Sequence, residues 1–149
     1  MFGFRFAETM RGNYYLLDDP TDERAIEFTI EAKVSGLRRF ALHHQTAQIA
    51  GHVHAEKLAK DAPLEGTLGI KLARERRLPY DFTFKGDDGK TYRFRGQKDV
   101  MLMALADTMT TLPASLYDES GKEIGRATVR FDLRSDIGRF VRSFRPRLA

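Results

Sequence analysis

Two charged residues are the strongest candidates for chemistry because each continues an apolar strand face. Glu8 extends the alternating face of residues 2–6, and Lys98 extends that of residues 92–96. Burying either charge alone is costly, so we expect the two to pair, to meet a polar ligand or water, or to lie solvated at strand ends. A buried acid or base can also transfer protons, so one hypothesis is a small enzyme that uses Glu8, Lys98 or Asp107 as acid or base on a lipophilic substrate.

The four histidines form a second candidate cluster, since all of them lie between positions 43 and 54. His52 and His54 are two residues apart on a predicted strand, so they project from one face, as a pair of metal ligands would. The opposite face of that strand is the apolar one, and no nearby carboxylate completes a ligand set. We therefore expect these two side chains to face solvent and predict no metal site, and the role of His43 and His44 stays open.

Several catalytic and cofactor-binding motifs are absent. The sequence has no Cys, which excludes disulfides, thiolate zinc sites, iron–sulfur clusters and cysteine nucleophiles. Residues 89–91 resemble the end of a phosphate-binding P-loop, but Phe84 stands where the first glycine of that motif belongs. The motifs G-x-S-x-G, H-E-x-x-H and G-x-G-x-x-G are missing, and no acid–base pair has the spacing of a named mechanism. No catalytic residue and no cofactor is predicted.

The charge distribution argues against a nucleic-acid partner. Lys and Arg number 25, Asp and Glu number 21, and the net charge is +4. Residues 134–149 contain five arginines and one acid, so residues 1–133 hold 25 − 5 = 20 bases and 21 − 1 = 20 acids. The basic character therefore belongs to a tail and not to a face of the domain, and no nucleic-acid binding is predicted.

Period-two alternation of apolar and polar residues predicts the elements that position these groups. Residues 18–22 have the composition of a turn. Gly89 and Gly121 occupy equivalent places in two short connections, which predicts tight hairpins at residues 87–90 and 119–122. About nine strands are expected, at residues 2–7 continuing past Gly12 into 13–17, and at 25–34, 45–56, 65–72, 79–85, 91–98, 110–117 and 125–133.

Helical patterns are confined to two segments. A short helix is predicted at residues 35–41 after the third strand, and an amphipathic helix at residues 135–145, with Ser135 as its N-cap and apolar residues at helical spacing. The predicted fold is a single all-β domain over residues 1–149, an antiparallel lipocalin-like barrel, with an α+β helix-grip arrangement as the alternative. The C-terminal helix is expected to dock on the barrel, and peripheral membrane contact through its arginines is the alternative.

Length and hydropathy set the expected compartment. The chain has 149 residues, which suits one hydrophobic core. Its longest apolar run, residues 100–106, is far shorter than a membrane span, and the first residues lack the pattern of a signal peptide. We therefore expect a cytoplasmic protein.

Aromatic residues dominate the predicted inward faces. They either fill the barrel or line a pocket for a lipophilic ligand, and the sequence does not distinguish the two. In the second case Met101 and Met103, in an apolar connection, would form an adaptable lid. The leading hypothesis is a non-enzymatic binding module for a lipophilic small molecule, and a solid barrel that binds a protein partner is the alternative. The predicted ligand-binding residues are Glu8, Phe28, Ile30, Tyr80, Phe82, Phe84, Tyr92, Phe94, Lys98, Met101 and Met103.

Five short motifs occur in an order that resembles a known accessory region. They are residues 8–12 (ETMRG), 51–55 (GHVHA), 96–98 (GQK), Asp107 with 110–112 (TTL), and 125–127 (GRA). This order is similar to that of the accessory region accompanying some bacterial GMC-type, cholesterol oxidase-like oxidoreductases. The resemblance implies an association with the oxidation of sterol-like or other lipophilic substrates and an oxidoreductase partner. It supplies no catalytic residues, and the flavin-binding glycine motif of the oxidase is absent.

Overall fold

A computed structural model describes residues 2–34, 46–69, 77–99, 109–132 and 145–148. Every regular element in these ranges is a β strand, and every strand pairing is antiparallel, which confirms the predicted all-β class. The described residues contain no helix long and apolar enough to cross a membrane. The strands are β1 (Phe2–Leu16), β2 (Asp19–Val34), β3 (Thr46–Ala55), β4 (Ala59–Gly69), β5 (Arg77–Lys85), β6 (Thr91–Asp99), β7 (Met109–Tyr117), β8 (Glu123–Asp132) and β9 (Arg145–Leu148).

The sheet closes on itself through β1. Strands β2 to β8 follow each other in sequence order, and β1 lies between β8 and β2. One edge of β1 pairs with β2 along most of its length, while the other pairs with β8 over residues 11–16 and with β9 over residues 2–5. Eight strands therefore form a closed barrel, and β9 extends the wall beyond the end of β8.

The two ends of the barrel differ in their connections. The β1–β2, β3–β4, β5–β6 and β7–β8 connections are short turns at one end, which we call the hairpin end. At the other end, the loop end, the strands are joined by residues 35–45, 70–76, 100–108 and 133–144, which lie outside the described residues. The predicted helix at 35–41, the lid methionines, Asp107, His43 and His44 all fall in these segments, so those predictions stay predictions.

The two predicted glycine hairpins are confirmed. Gly89 and Gly121 have φ angles of 81° and 85°, a region that side chains with a Cβ rarely adopt. The Asp118 carboxylate caps the second turn by accepting hydrogen bonds from the backbone N–H groups of Ser120 and Lys122, at 2.9 and 3.0 Å. Local turn chemistry therefore determines the register of these strand pairs.

Two strand starts differ from the sequence prediction. The first turn is shorter than residues 18–22, since Leu16 already pairs with Asp19 and β2 includes Pro20. Strand β4 begins at Ala59 and not at residue 65, and it contains Pro63. A register irregularity next to Asp61, whose φ is 45°, lets this strand bend while Pro63 stays on the exposed outer face. Long-range pairing thus overrides the local turn signal in both places.

The C-terminal helix was predicted to extend to Arg145. This boundary is wrong, because Arg145 begins β9. Residues 135–144 lie outside the described ones, but Arg145 pairs with Arg5 and Pro146 with Phe4. Beyond the end of β8, one edge of β1 would otherwise expose backbone donors and acceptors, and an extended segment satisfies them.

Gly66 marks a place where neighbouring strands approach closely. It lies on the inward side of β4, in register with Ile49 and Phe82. A Cβ atom built on Gly66 would lie 2.0 Å from the carbonyl oxygen of Asp81 and 2.5 Å from the Cα atom of Phe82. Both contacts involve backbone, which cannot rotate away, so the position requires glycine at a sharp bend of the barrel wall.

We predict that Gly66→Ala lowers the free energy of unfolding by about 2 kcal/mol or more, because the added methyl group must displace backbone in a packed wall. Thr67→Ala, at the next residue but on the outer face, is the matched control and should change it by less than about 1 kcal/mol. Urea unfolding of both variants measures the difference. Equal stability of the two would show that the wall is not tightly bent at Gly66.

Candidate functional site

The middle of the barrel is filled by three phenylalanine rings. Phe82 stacks on Phe94 with ring centroids 4.6 Å apart, and Phe28 meets both edge-on, at 5.1 and 5.2 Å. Phe84 stacks on Tyr92 at 5.9 Å nearer the hairpin end. All five side chains lie on inward faces and are buried, as the alternation predicts. Their mutual contacts leave no described space between them for a ligand, so whether they line a binding site remains a prediction.

Two hydrogen-bonded tyrosine hydroxyl groups lie at the hairpin end of this core. The Tyr92 hydroxyl donates to the Asp88 carboxylate at 2.5 Å, and the Tyr14 hydroxyl donates to the carbonyl of Glu56. Burial and, next, the bond to Asp88 raise the pKa of Tyr92 to about 12. Each aromatic ring is thus buried while its hydroxyl has an acceptor at the rim.

The interior of the described barrel contains one charged side chain, that of Glu8. Glu8 is 7% exposed, and its carboxylate accepts a hydrogen bond from the hydroxyl of Tyr80, which is 2% exposed. Glu8 lies on β1 and Tyr80 on β5, and these strands are four apart in either direction around the eight-stranded barrel. The hydrogen bond therefore joins opposite walls across the interior.

Two buried apolar residues flank this pair. Ile30 is the register partner of Glu8 on β2, and Leu68 is the partner of Tyr80 on β4, and both are buried. Burial, followed by the charge of Glu8 and the hydrogen bond to it, raises the pKa of Tyr80 well above the usual 10.0. Tyr80 therefore stays protonated and serves as a donor to the carboxylate.

Two buried alanines lie near this pair, on the side of the loop end. Ala32 is two residues beyond Ile30 along β2, and Ala47 lies opposite Leu68 on β3. Both alanines are fully buried. Buried alanines also occur towards the hairpin end, at Ala55, Ala59, Ala62 and Ala127, so small side chains lie on both sides of the aromatic rings. The polar pair of Glu8 and Tyr80, which lies between the rings and the loop end, makes that half of the barrel the candidate site.

The other predicted polar anchor, Lys98, lies on β6 in register with Leu78. Its side chain is outside the described ones, so the predicted pairing with Glu8 stays a prediction. The hydrogen bond between Tyr80 and Glu8 was not predicted, because Tyr80 was grouped with the other aromatic residues of the inward faces. The available signal was its hydroxyl, since a tyrosine on an inward face needs a polar partner.

The prediction that His52 and His54 face solvent is confirmed. Both are exposed on the outer side of β3, where His54 is the register partner of Glu27. Within the described ranges, no group of three His, Asp or Glu residues is arranged to hold a metal ion.

Comparisons with known proteins identify no family. No family model matches this chain, and no curated protein matches it significantly. Among solved structures, it is similar to a de novo designed fluorescence-activating β barrel, with 13% sequence identity and a TM-score of 0.44. The similarity covers 83% of this chain and 91% of the designed one.

We predict that Tyr80→Phe lowers the free energy of unfolding by about 1–3 kcal/mol at pH 9, because a buried carboxylate loses a donor. This deficit should shrink by about 1.4 kcal/mol at pH 11. The raised pKa of Tyr80 stabilises the wild type fully below pH 10.0, and that contribution is lost as the pH rises from there towards the folded-state pKa. Urea unfolding at the two pH values measures both effects.

Tyr15→Phe is the control, because Tyr15 lies on the outer face of the barrel. This variant should match the wild type in stability and in pH dependence to within about 0.5 kcal/mol. A Tyr80→Phe deficit that stays constant between pH 9 and pH 11 would contradict a protonated, buried Tyr80.

Proposed function

We propose that this protein is a non-enzymatic binding barrel that holds a lipophilic small molecule at its loop end, above the pair of Glu8 and Tyr80. The observation that carries this proposal is that pair. A core that served only for stability would gain from apolar side chains there, because a buried carboxylate is costly to desolvate. A binding site, by contrast, needs a few polar groups in an apolar wall to orient a ligand.

The dimensions of the barrel support a site at one end only. An eight-stranded barrel is just wide enough either to be filled by side chains or to hold one small ligand. In the middle of the barrel, the packed rings of Phe28, Phe82 and Phe94 fill the interior, which is the first case. We propose the second case beyond Glu8, where the described side chains of Ala32 and Ala47 are small. The hydrogen bond between Glu8 and Tyr80 would then form the floor of the site.

The chemistry of this floor suits a ligand that carries a hydrogen-bond donor on an apolar body. A carboxylate accepts several hydrogen bonds at once, so a ligand hydroxyl can join or replace the donors that Glu8 already has, Tyr80 among them. A sterol-like molecule, with one hydroxyl group on a large hydrocarbon frame, has that chemistry. The sequence resemblance adds the proposal that the barrel serves an oxidoreductase that acts on such substrates.

A solid barrel that binds a protein partner is the second candidate function. The observation in its favour is the dense packing of the three phenylalanine rings, since a filled interior has no need of a ligand. The two candidates differ in whether the loop end contains an exchangeable small molecule.

Native mass spectrometry of freshly purified protein, followed by organic extraction, tests this difference. We expect a stoichiometric adduct that dissociates on extraction and is recovered as a lipophilic compound. A clean apo mass, together with no binding of an uncharged lipophilic dye such as Nile red, would overturn the binding proposal and favour the solid barrel.

A pair of substitutions on β3 locates the site. Ala47→Phe places a ring in the proposed chamber, and we expect it to weaken dye binding by about tenfold or more, since it fills space that the ligand needs. Ala50→Phe adds the same ring on the exposed outer face of the strand and should leave binding unchanged. Fluorescence titration measures both affinities, and circular dichroism verifies folding.

Should Ala47→Phe fail to fold, Glu8→Gln provides a second test. It keeps the size of the side chain and removes its charge. We expect weaker binding of a sterol alcohol and little change for the matching hydrocarbon, because only the alcohol donates to the carboxylate. Equal effects on both ligands, or equal effects of the two β3 substitutions, would place the ligand elsewhere.

A further inference from the structure

The outward charges are distributed unevenly over the barrel wall. Exposed or partly exposed acids, Glu27, Glu31 and Glu65, lie on β2 and β4, on either side of β3. The opposite wall, centred on β7, has arginines on the flanking strands β6 and β8. We call this surface the arginine wall and define it by Arg93, Arg95, Tyr117, Arg126, Arg130 and Tyr15.

Four outward residues of the arginine wall form one row across the strands. Arg95 is the register partner of Ser115, Ser115 of Arg126, and Arg126 of Tyr15. Since neighbouring strands are about 4.8 Å apart, the row is about 14 Å long. Tyr117 lies beside the row, opposite Arg93. Each tyrosine on this wall is therefore the cross-strand neighbour of an arginine.

The row lies in two surface depressions that meet at Arg126. One, of about 730 Å³, includes Arg95, Ser115 and Tyr117, and the other, of about 350 Å³, includes Tyr15 and Arg130. Asn13 and Thr128 add further hydrogen-bond donors to the second depression. The wall thus presents a shallow groove that combines three arginines, side-chain donors and two aromatic rings, with the acids Asp81 and Glu23 also among its lining residues.

Two arginines of the groove can exchange their present carboxylate partners for a phosphate. The side chains of Arg95 and Arg126 are 57% and 59% exposed, and their ion-pair contacts, to Asp81 and Glu123, are 3.6 and 3.4 Å long. Exposed pairs of this kind contribute about 0–1 kcal/mol. A phosphate that accepts hydrogen bonds from the guanidinium can replace them. Arg93, by contrast, is held by two short hydrogen bonds to Asp81, at 2.7 and 2.6 Å.

We infer that the arginine wall binds single-stranded nucleic acid, with Arg95, Arg126 and Arg130 on its phosphates and with Tyr15 and Tyr117 stacked on its bases. Proteins that bind single strands without sequence preference combine a positive groove with aromatic platforms. The charge summed over residues 1–133 does not reveal this surface, because a sum over the sequence carries no information about which charges share a wall.

Two features of the wall favour this ligand over other polyanions. Anionic membranes attract surfaces that also insert apolar side chains, but among the described residues the exposed large hydrophobic side chain is Leu17, in the β1–β2 turn. An acidic peptide would satisfy the arginines and leave the interleaved tyrosines without a function. Unpaired bases use both features, since every base has a face for stacking.

Fluorescence anisotropy with a labelled oligothymidine of about 16 nucleotides, a length that covers the site size of small barrel folds, tests the inference on the full chain. The variant Arg95→Gln/Arg126→Gln/Arg130→Gln should bind at least about tenfold more weakly. The slope of log affinity against log salt concentration should fall in magnitude by about 2, at about 0.7 for each lost phosphate contact.

The matched control is Lys57→Gln/Lys60→Gln/Lys85→Gln, which removes three exposed positive charges outside the wall. This control should keep the wild-type affinity and salt slope. Both variants retain the arginines of residues 134–149, so the comparison cancels any binding by that segment. Equal loss in the two variants, or no loss in the arginine variant, would overturn the inference.

Substitution of the two tyrosines tests whether the ligand of the wall is a nucleic acid or another polyanion. Tyr15→Leu/Tyr117→Leu should weaken oligothymidine binding at least about fivefold, the loss of one stacked base, with the salt slope unchanged. Unchanged affinity in this variant would overturn the inference. Polyglutamate that competes as well as the oligothymidine at equal charge, or preferential binding to phosphatidylserine vesicles, would assign the wall to an acidic protein or to a membrane instead.

Discussion

The architecture depends on one constraint, that β1 must pair along both of its edges. Its register with β2 and β8 closes the sheet, and closure removes the exposed edges that make open sheets prone to aggregation. Closure also gives every strand one face towards the interior and one towards solvent. Apolar and polar residues must therefore alternate along the strands around the whole barrel. The segment of β1 that extends past β8 pairs with β9 for the same reason. Gly12 and Gly66 permit the close strand approaches that this closure requires.

The interior is specialised along the barrel axis. Large aromatic rings fill the middle, and tyrosine hydroxyls are hydrogen-bonded at the hairpin end. Towards the loop end, the hydrogen bond between Glu8 and Tyr80 crosses the interior. The binding function that we propose depends on this arrangement, in which a packed scaffold positions a few polar groups.

Much of the fold was accessible from local patterns. Alternation located the inward faces, and the turn chemistry of Gly89 and Gly121 located two hairpins. The patterns failed where long-range pairing overrides a local signal. Pro20 was assigned to a turn and Pro63 precedes the predicted strand at 65–72, yet both lie in strands because the closed sheet supplies partners for the neighbouring residues. In the sequence, Arg145 ends a helical pattern. In the structure it forms a strand, because it pairs with an edge of β1 that would otherwise be open.

The sequence by itself determined which face of each strand is apolar, and hence that Glu8 belongs to the apolar face of β1, because side-chain direction alternates with a fixed period of two. Only the tertiary structure decided what Glu8 meets. Tyr80 is 72 residues away along the chain, and strand order and register bring the two together across the barrel. The same holds outside, where Arg95 and Arg126 share a row with Tyr15. Local periodicity determines orientation, whereas contacts between distant strands depend on how the sheet closes.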